Sequence, residues 1–394
     1  MSERCDVAII GGGVIGCAIA QALAAQPGFQ GSITVLERDP GYTRAASALS
    51  VSSIRQQFSE PINIALSLYG IDFLRRARAL LAVDGAEPPE LGLREGGYLF
   101  LAGGADGGAM LAANEALQRR MGADIALLDP AALATRFPWL DTRGISLGAL
   151  GLSGEGWFDG YGLLQALRRK ARSLGVQFRA AEVVGIERSG RRIAGLVLAD
   201  GGRLECGLAV IAAGPHSGAV AALAGSDLPV EPRKRSVFVF ACRTVLPASP
   251  LIIDPSGVYV RPEGERFLAG VSPPPDQDPP AVDFDVDHAL FEEVVWPALA
   301  RRVPAFAELK LTGAWAGHYD FNRFDQNGLV GALPGFDNLL CATGFSGHGL
   351  QQAPAVGRGM AELIAYGAYR TLDLSPLAPT RLAAGRKLRE SNIV

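Results

Sequence analysis

The chain has 394 residues, 48% of them hydrophobic, with 49 glycines and 25 prolines. That length and composition suit a large α/β protein rich in tight turns, and they call for two domains rather than one core. The 37 basic and 40 acidic residues leave a net charge of −3 and are mixed along the chain, so no basic stripe argues for nucleic acid, and no unbroken apolar run reaches the roughly 20 residues of a transmembrane segment.

The chain opens without a basic stretch and apolar segment ahead of a small-residue cleavage site; its first apolar run enters a glycine turn instead. Residues 5–10 are expected to form a strand, 11–16 the turn, 17–25 a helix with small residues on its inner face, and 32–37 a second strand. This βαβ order calls for a parallel sheet. A small polar segment, Ala45 to Ser50, follows, then Arg55 and a long helix over 61–81. Residues 97–101 alternate like a strand, and 109–120 and 130–136 are amphipathic helices. A helix over 161–174 precedes short strands at 176–178, 192–198 and 207–211.

Strand patterns at 236–241, 258–261 and 266–270 then suggest an antiparallel sheet. The proline-rich stretch 273–280 reads as an exposed loop, and a second glycine-rich turn precedes a helix over 354–366. Nucleotide-binding segments are thus interrupted by antiparallel ones. The expected architecture is a discontinuous Rossmann-type α/β domain (1–85, 151–225 and 315–394) with an inserted α+β substrate domain on an antiparallel sheet (86–150 and 226–314). Five cysteines, Cys5, Cys17, Cys206, Cys242 and Cys341, lie scattered without a CxxC pair. They argue against disulfides or a metal site and for a reducing, cytoplasmic setting.

Three constellations carry chemistry. Gly11-Gly12-Gly13-Val14-Ile15-Gly16 joins a strand to a helix, and Glu37 with Arg38 ends the next strand about twenty residues on. Gly11 permits the turn, Gly13 lets backbone approach a pyrophosphate at the helix N-terminus, Gly16 lets helix and strand pack, and Glu37 accepts hydrogen bonds from a ribose. The second is the apolar strand ending in Ala213-Gly214, with Val183 placed to meet an adenine. The third is Gly344-Phe345-Ser346-Gly347-His348-Gly349-Leu350-Gln351, a nest of backbone N–H groups that suits an electron-rich edge, with His348 fixing the loop.

In this order the three resemble the D-amino-acid-oxidase superfamily of FAD-dependent oxidoreductases, which includes glycine and sarcosine oxidases and the sarcosine and dimethylglycine dehydrogenases. The stretches SALSVSSIRQQFS, WAGHYDFNRFDQNGLVG and CATGFSGHGLQQAPAVGRGMAELI, with the segment from Asp373 on, resemble a subgroup linked in eukaryotes to assembly of respiratory complex I. The resemblance implies FAD as cofactor, with Ser47, Ala48, Leu49 and Ser50 along the pyrophosphate and flavin ring and residues 344–351 at the pyrimidine edge. It also implies Arg55 near the flavin, where a guanidinium that grips two oxygens suits a carboxylate anchor or a flavin-edge charge; Tyr259, His318 and Tyr319 are candidates for shaping the substrate pocket. Gln351 stands where sarcosine oxidases keep a substrate-binding lysine, and Leu268 where they keep an oxygen-activating one. No histidine precedes His216, and His318 lies near the cysteine attachment site of sarcosine oxidases, so the FAD is expected to be non-covalent.

The function these readings imply is oxidation of the C–N bond of a small amino acid or N-methylated amino acid by hydride transfer to flavin N5. Electrons would pass to a quinone or an electron-transfer protein. The alternatives are a 2-hydroxy-acid dehydrogenase with His318 as base, and a FAD-holding assembly protein.

Overall fold

The computed structural model describes residues 3–391. The chain starts with β1 (Glu3–Ile10), α1 (Val14–Ala24), β2 (Ile33–Glu37), the short β3 (Ser53–Ile54) and α2 (Pro61–Leu80). It then crosses to a second sheet as β4 (Tyr98–Gly103), α3 (Gly104–Arg120), β5 (Ile125–Leu128), α4 (Pro130–Arg136) and β6 (Ile145–Gly151). The return runs through β7 (Gly156–Trp157), α5 (Gly160–Ser173), β8 (Gln177–Ala180), the hairpin β9 (Val183–Ser189) and β10 (Arg192–Leu198), β11 (Arg203–Ile211) and α6 (Ser217–Leu223). A second crossing supplies β12 (Val230–Ala241), β13 (Leu251–Ile253), β14 (Tyr259–Glu263), β15 (Arg266–Gly270), the short α7 (His288–Leu290), α8 (Trp296–Arg302) and β16 (Lys310–Asn322). The chain then returns as β17 (Leu329–Ala332), β18 (Leu339–Thr343), α9 (Gly349–Tyr366) and α10 (Thr380–Ala383).

The first sheet has the order β17-β18-β11-β1-β2-β8 with β10 and β9 attached to β11. Its central strands β18, β11, β1, β2 and β8 are parallel, as expected of strands joined by helical crossovers. Val7, Ile9, Val35 and Val210 are buried on one face with α1 and α9, and Ala8, Ile10, Leu36 and Ile211 on the other. The second sheet, β16-β12-β15-β14-β13-β4-β6-β5, is antiparallel except where β13 meets β4. Phe238, Phe240, Phe267 and Phe306 fill the core on one of its faces beneath α8; the other face turns to the first sheet. Among the described residues no helix is long and apolar enough to cross a membrane.

Several expected elements move. Helix α1 begins at Val14 rather than 17, because Gly13 is already its extended N-cap. Helix α9 begins at Gly349 and carries Pro354 inside it. The stretch 273–280 is not all exposed: Pro280 bridges to Arg233 on the free edge of β12, and Asp278 beside it is buried. The boundary drawn at 315 falls inside β16, whose ladder with β12 continues from Trp315 in one register to Asn322, so we propose that the inserted domain extends to 322.

Helix α2 has an unusual start. Its N-cap, Glu60, makes no side-chain capping bond. Glu390 supplies the acceptors instead, taking the Ser59 N–H at 2.7 Å, the Ser59 hydroxyl at 2.7 Å, the Glu60 N–H at 3.3 Å and Asn63 Nδ2 at 3.2 Å. A carboxylate there satisfies orphan donors and meets the positive end of the helix dipole.

Candidate active site

A long cavity runs from the carboxyl ends of β1, β2 and β11 to the face of β12, β14 and β16 opposite the phenylalanine core. At its first end the α1 N-terminus is nearly bare: Gly13 caps it without a side-chain bond, no acidic residue sits in the first turn, and Ser47 Oγ accepts the Val14 N–H only at 3.4 Å. A Cβ built on Gly13 would meet only Ser47 Oγ, at 3.5 Å, so the space in front of the helix is open. Gly11 and Gly16 serve packing instead. A Cβ on Gly11 would lie 2.4 Å from Ala212 O, and one on Gly16 would lie 1.9 Å from Gly11 O. Glu37 reaches the cavity with both oxygens engaged, Oε2 accepting the Gly12 N–H at 2.7 Å and Oε1 the Asp39 N–H at 2.8 Å. Each oxygen keeps a further lone pair for a ribose hydroxyl.

At the other end Arg55 is 2% exposed. Its guanidinium lies over the Phe58 ring at 4.0 Å and near Phe100 at 5.2 Å, and Nη1 donates to Gln57 O. Tyr98, Tyr259 and Tyr319 reach the same part of the cavity, and burial raises the pKa of all three phenols. They are hydrogen-bonding neutral groups rather than bases. His348 is pushed down to about 3, by burial first and then by Arg55. His318 also falls, chiefly through burial.

Beneath Arg55 lies a buried carboxylate. Glu155 Oε1 accepts the N–H groups of Gln56 (2.5 Å) and Gln57 (3.1 Å), and Oε2 accepts Gln57 Nε2 (2.7 Å). Desolvation raises its pKa to about 7 against those bonds and the nearby Arg55. Asp320, also buried, is raised to about 6 by desolvation. Its Oδ2 accepts the Phe345 N–H at 3.0 Å, and its carbonyl accepts that of Ser346 at 3.2 Å.

A family model described as FAD dependent oxidoreductase (DAO) matches residues 6–363. The chain belongs to this family. It is 44% identical to the FAD-dependent oxidoreductase domain-containing protein 1 of Bos taurus, covering 100% of this chain and 87% of that one. It is 27% identical to the glycine oxidase of Geobacillus kaustophilus, covering 97% of this chain and 98% of that one. Among solved structures, L-proline dehydrogenase from P. horikoshii superposes with a TM-score of 0.86 at 24% identity, covering 98% of this chain and 100% of that one. Glycine oxidase from Geobacillus kaustophilus gives 0.82 at 24%, covering 96% and 99%.

FAD is the cofactor of the DAO family, and the residues here fit it. The nearly bare α1 N-terminus and the open space at Gly13 suit a pyrophosphate, and Glu37 suits a ribose. Of the residues singled out for it from sequence, Gly11, Gly13, Val14, Ile15, Glu37, Arg38, Ser47, Leu49, Ser50, Val183, Ala213, Gly214, Phe345, Gly347, His348, Gly349, Leu350 and Gln351 line the cavity. Gly16, Ala48, Gly344 and Ser346 do not. Gly16 packs on Gly11, Ala48 packs into the core beside Val14 and Tyr42, Gly344 lies against Val230 and Asn322, and Ser346 Oγ accepts the Asn322 N–H.

The second glycine-rich turn is less bare than its composition suggests, because Asp320 and its own carbonyl hold the Phe345 and Ser346 amides. Gln351 is also committed: Oε1 accepts the Arg55 N–H at 2.9 Å and the Ser67 hydroxyl at 3.3 Å. His318 lines the cavity, but its Nε2 meets Asp283 O at 2.7 Å and its ring packs at a tilt against Phe284, centroids 4.2 Å apart. A ring nitrogen facing a carbonyl must carry the proton, so Nε2 is not a base. Sequence reading missed Tyr98, Arg235, Glu155 and Asp320. Arg235 alternates with the cavity-facing Val237 on β12, a period-2 signal that the surrounding run of basic residues obscures.

Proposed function

We propose that this chain oxidises the C–N bond of a small amino acid or N-methylated amino acid, as a dehydrogenase that hands electrons to a quinone or an electron-transfer protein. The observation that carries the reading is one cavity joining the nearly bare α1 N-terminus to a buried cage of Arg55, Tyr98, Tyr259 and Tyr319. Bound FAD supplies a two-electron acceptor. The chain's part is to grip and to dry the substrate. Arg55 offers a guanidinium for a carboxylate, and the aromatic walls exclude water, which favours the neutral amine that the reaction needs. The glycine oxidase relative, at 27% identity over nearly the whole chain, supports the class.

A 2-hydroxy acid would need a base for its hydroxyl proton. His348 Nε2 faces Arg55 and His318 Nε2 carries a hydrogen, so His318 Nδ1 is the ring nitrogen that a hydroxy acid would have to use, whereas an amine that enters already deprotonated needs no such base. Five unpaired cysteines, four of them buried, accord with a reducing compartment such as the cytoplasm.

The test is anaerobic bleaching of the purified yellow protein by a panel of amino acids, N-methyl amino acids and 2-hydroxy acids. Bleaching by an amine and not by its hydroxy analogue is expected. Bleaching by hydroxy acids alone, or by nothing in the panel, overturns the reading, the latter in favour of an assembly role.

A further inference from the structure

Arg235 on β12 lines the cavity and is 8% exposed. Its neighbours are set by sheet register. Gly317 of β16 pairs with it on one side. On the other, the Arg233–Pro280 bridge brings Asp278 opposite it on the free edge of β12. Asp278 takes the end of the guanidinium, Oδ1 accepting Nη1 at 2.7 Å and Oδ2 accepting Nη2 at 2.8 Å. Nη1 also donates to Lys234 O at 2.8 Å.

A guanidinium has five N–H groups, and these bonds use three. The Nε–H is buried and meets no acceptor among the described residues. It shares one edge of the group with the second Nη2–H, and that edge is the side-on fork that matches a carboxylate. A purely structural ion pair does not require an open fork beside a cavity. Buried donors left unmet are costly in native proteins and call for a partner. The guanidinium also lies 4.9 Å from the Tyr319 ring centroid, and Tyr319 and Arg55 line the same cavity.

We infer that Arg235 is a second carboxylate anchor in the substrate cavity, held in place by Asp278, and that the amino acid this site selects carries two acidic groups. One carboxylate lies on Arg55 and the other on the Nε/Nη2 edge of Arg235. Asp278 is a positioning residue: it neutralises the pair's charge when the site is empty and fixes the plane of the guanidinium. This rests on the amino-acid reading above for the identity of the substrate, while the two-anchor geometry can be read from binding alone.

The experiment titrates the FAD-loaded protein with glutarate and with butyrate, which is glutarate with one carboxylate replaced by hydrogen, and follows the perturbation of flavin absorbance. Wild type should bind glutarate at least tenfold more tightly. Arg235→Lys keeps the positive charge for Asp278 but lacks the fork; with it, and with Arg235→Gln, the preference should fall below threefold while butyrate affinity stays within twofold. Asp278→Asn should lose part of the preference. No preference in wild type, or equal weakening of both ligands in Arg235→Lys, overturns the inference. Because no turnover is needed, a retained preference alongside failed bleaching by amines would sink the amino-acid reading and leave the second anchor standing.

Discussion

Arg55 Nη2 lies 3.4 Å from His348 Nε2, with the edge of Phe58 against the imidazole and its face under the guanidinium. An arginine only donates, so the histidine accepts and stays neutral. A cation pressed against it resists its protonation, and burial does more. One arrangement therefore settles the protonation of the histidine and the orientation of the proposed carboxylate anchor.

The first prediction concerns acid. His348 has a folded pKa lowered to about 3 from an ordinary 6.5, so the unfolded chain binds its proton first. Its contribution to stability is complete above pH 6.5 and is lost as pH falls towards 3. His216, lowered to about 4 chiefly by burial, acts in the same direction. Glu155 and Asp320, raised to about 7 and about 6, act oppositely, because the folded state holds their protons. The contrast with a variant isolates the histidine. The melting temperature of His348→Gln should fall less steeply than that of wild type between pH 6.5 and 4. Parallel curves would show that this histidine does not titrate on unfolding.

Arg55→Ala should raise KM for a carboxylate substrate by roughly ten- to a hundredfold, the loss of a hydrogen bond to a charged group being worth about 1.5–3 kcal/mol. Arg55→Lys should lose less. Steady-state kinetics on the first substrate found will decide it, and an unchanged KM in Arg55→Ala removes Arg55 from the substrate site.

Two of the fingerprint glycines should fail in different ways. Gly13→Val places its side chain in open space, so the protein should fold, by circular dichroism, and purify colourless. Gly16→Ala drives a methyl into Gly11 O and should lower the melting temperature or abolish soluble expression. Full flavin content in a folded Gly13→Val protein would show that no pyrophosphate sits there.

Acid precipitation should release all of the yellow colour into the supernatant. None of the five cysteines lines the cavity, and the His318 ring is held between Asp283 and Phe284. Colour retained on a peptide that contains His318 would establish a covalent link.

Reoxidation by air of the anaerobically reduced protein should be slow in stopped flow, and faster with a soluble quinone analogue. Electron transfer to oxygen creates an anion, which a nearby fixed cation stabilises and an apolar side chain does not. Leu268 is buried on β15, no lysine lines the cavity, and the Arg55 and Arg235 guanidinium groups are engaged by Gln57 and His348 and by Asp278. Rapid air oxidation with stoichiometric hydrogen peroxide would make the protein an oxidase.

The cofactor end of the molecule was legible because its determinants are local. A strand, a glycine turn, a bare helix start and Glu37 lie within forty residues, and each constrains backbone rather than side chains. The substrate end was legible only in part. Arg55 and Tyr319 stood out through their segments, but Arg235 acquires its role from Asp278, a partner 43 residues away. The composition of 273–280 signals a loop and nothing more. Glu155 reaches Gln56 across 99 residues, and no spacing along the chain announces that contact. The occupancy of the turn at 344–351 was hidden for the same reason: its glycines are plain in the sequence, and the Asp320 that takes up the Phe345 and Ser346 amides is not recognisable as a partner.

The cap on α2 has a consequence for timing. Most helices carry their starting signal within a few residues, whereas Ser59 receives Glu390 from 331 residues away. Contacts of such separation must wait for the intervening chain to be ordered. Ser59 lies four residues from Arg55, so the remote carboxylate adds a late tie to a segment that Gln351 and Glu155 also hold. The Ser59 and Glu60 amides thus act as a timestamp: their protection from hydrogen exchange marks the moment at which the two ends of the chain have met.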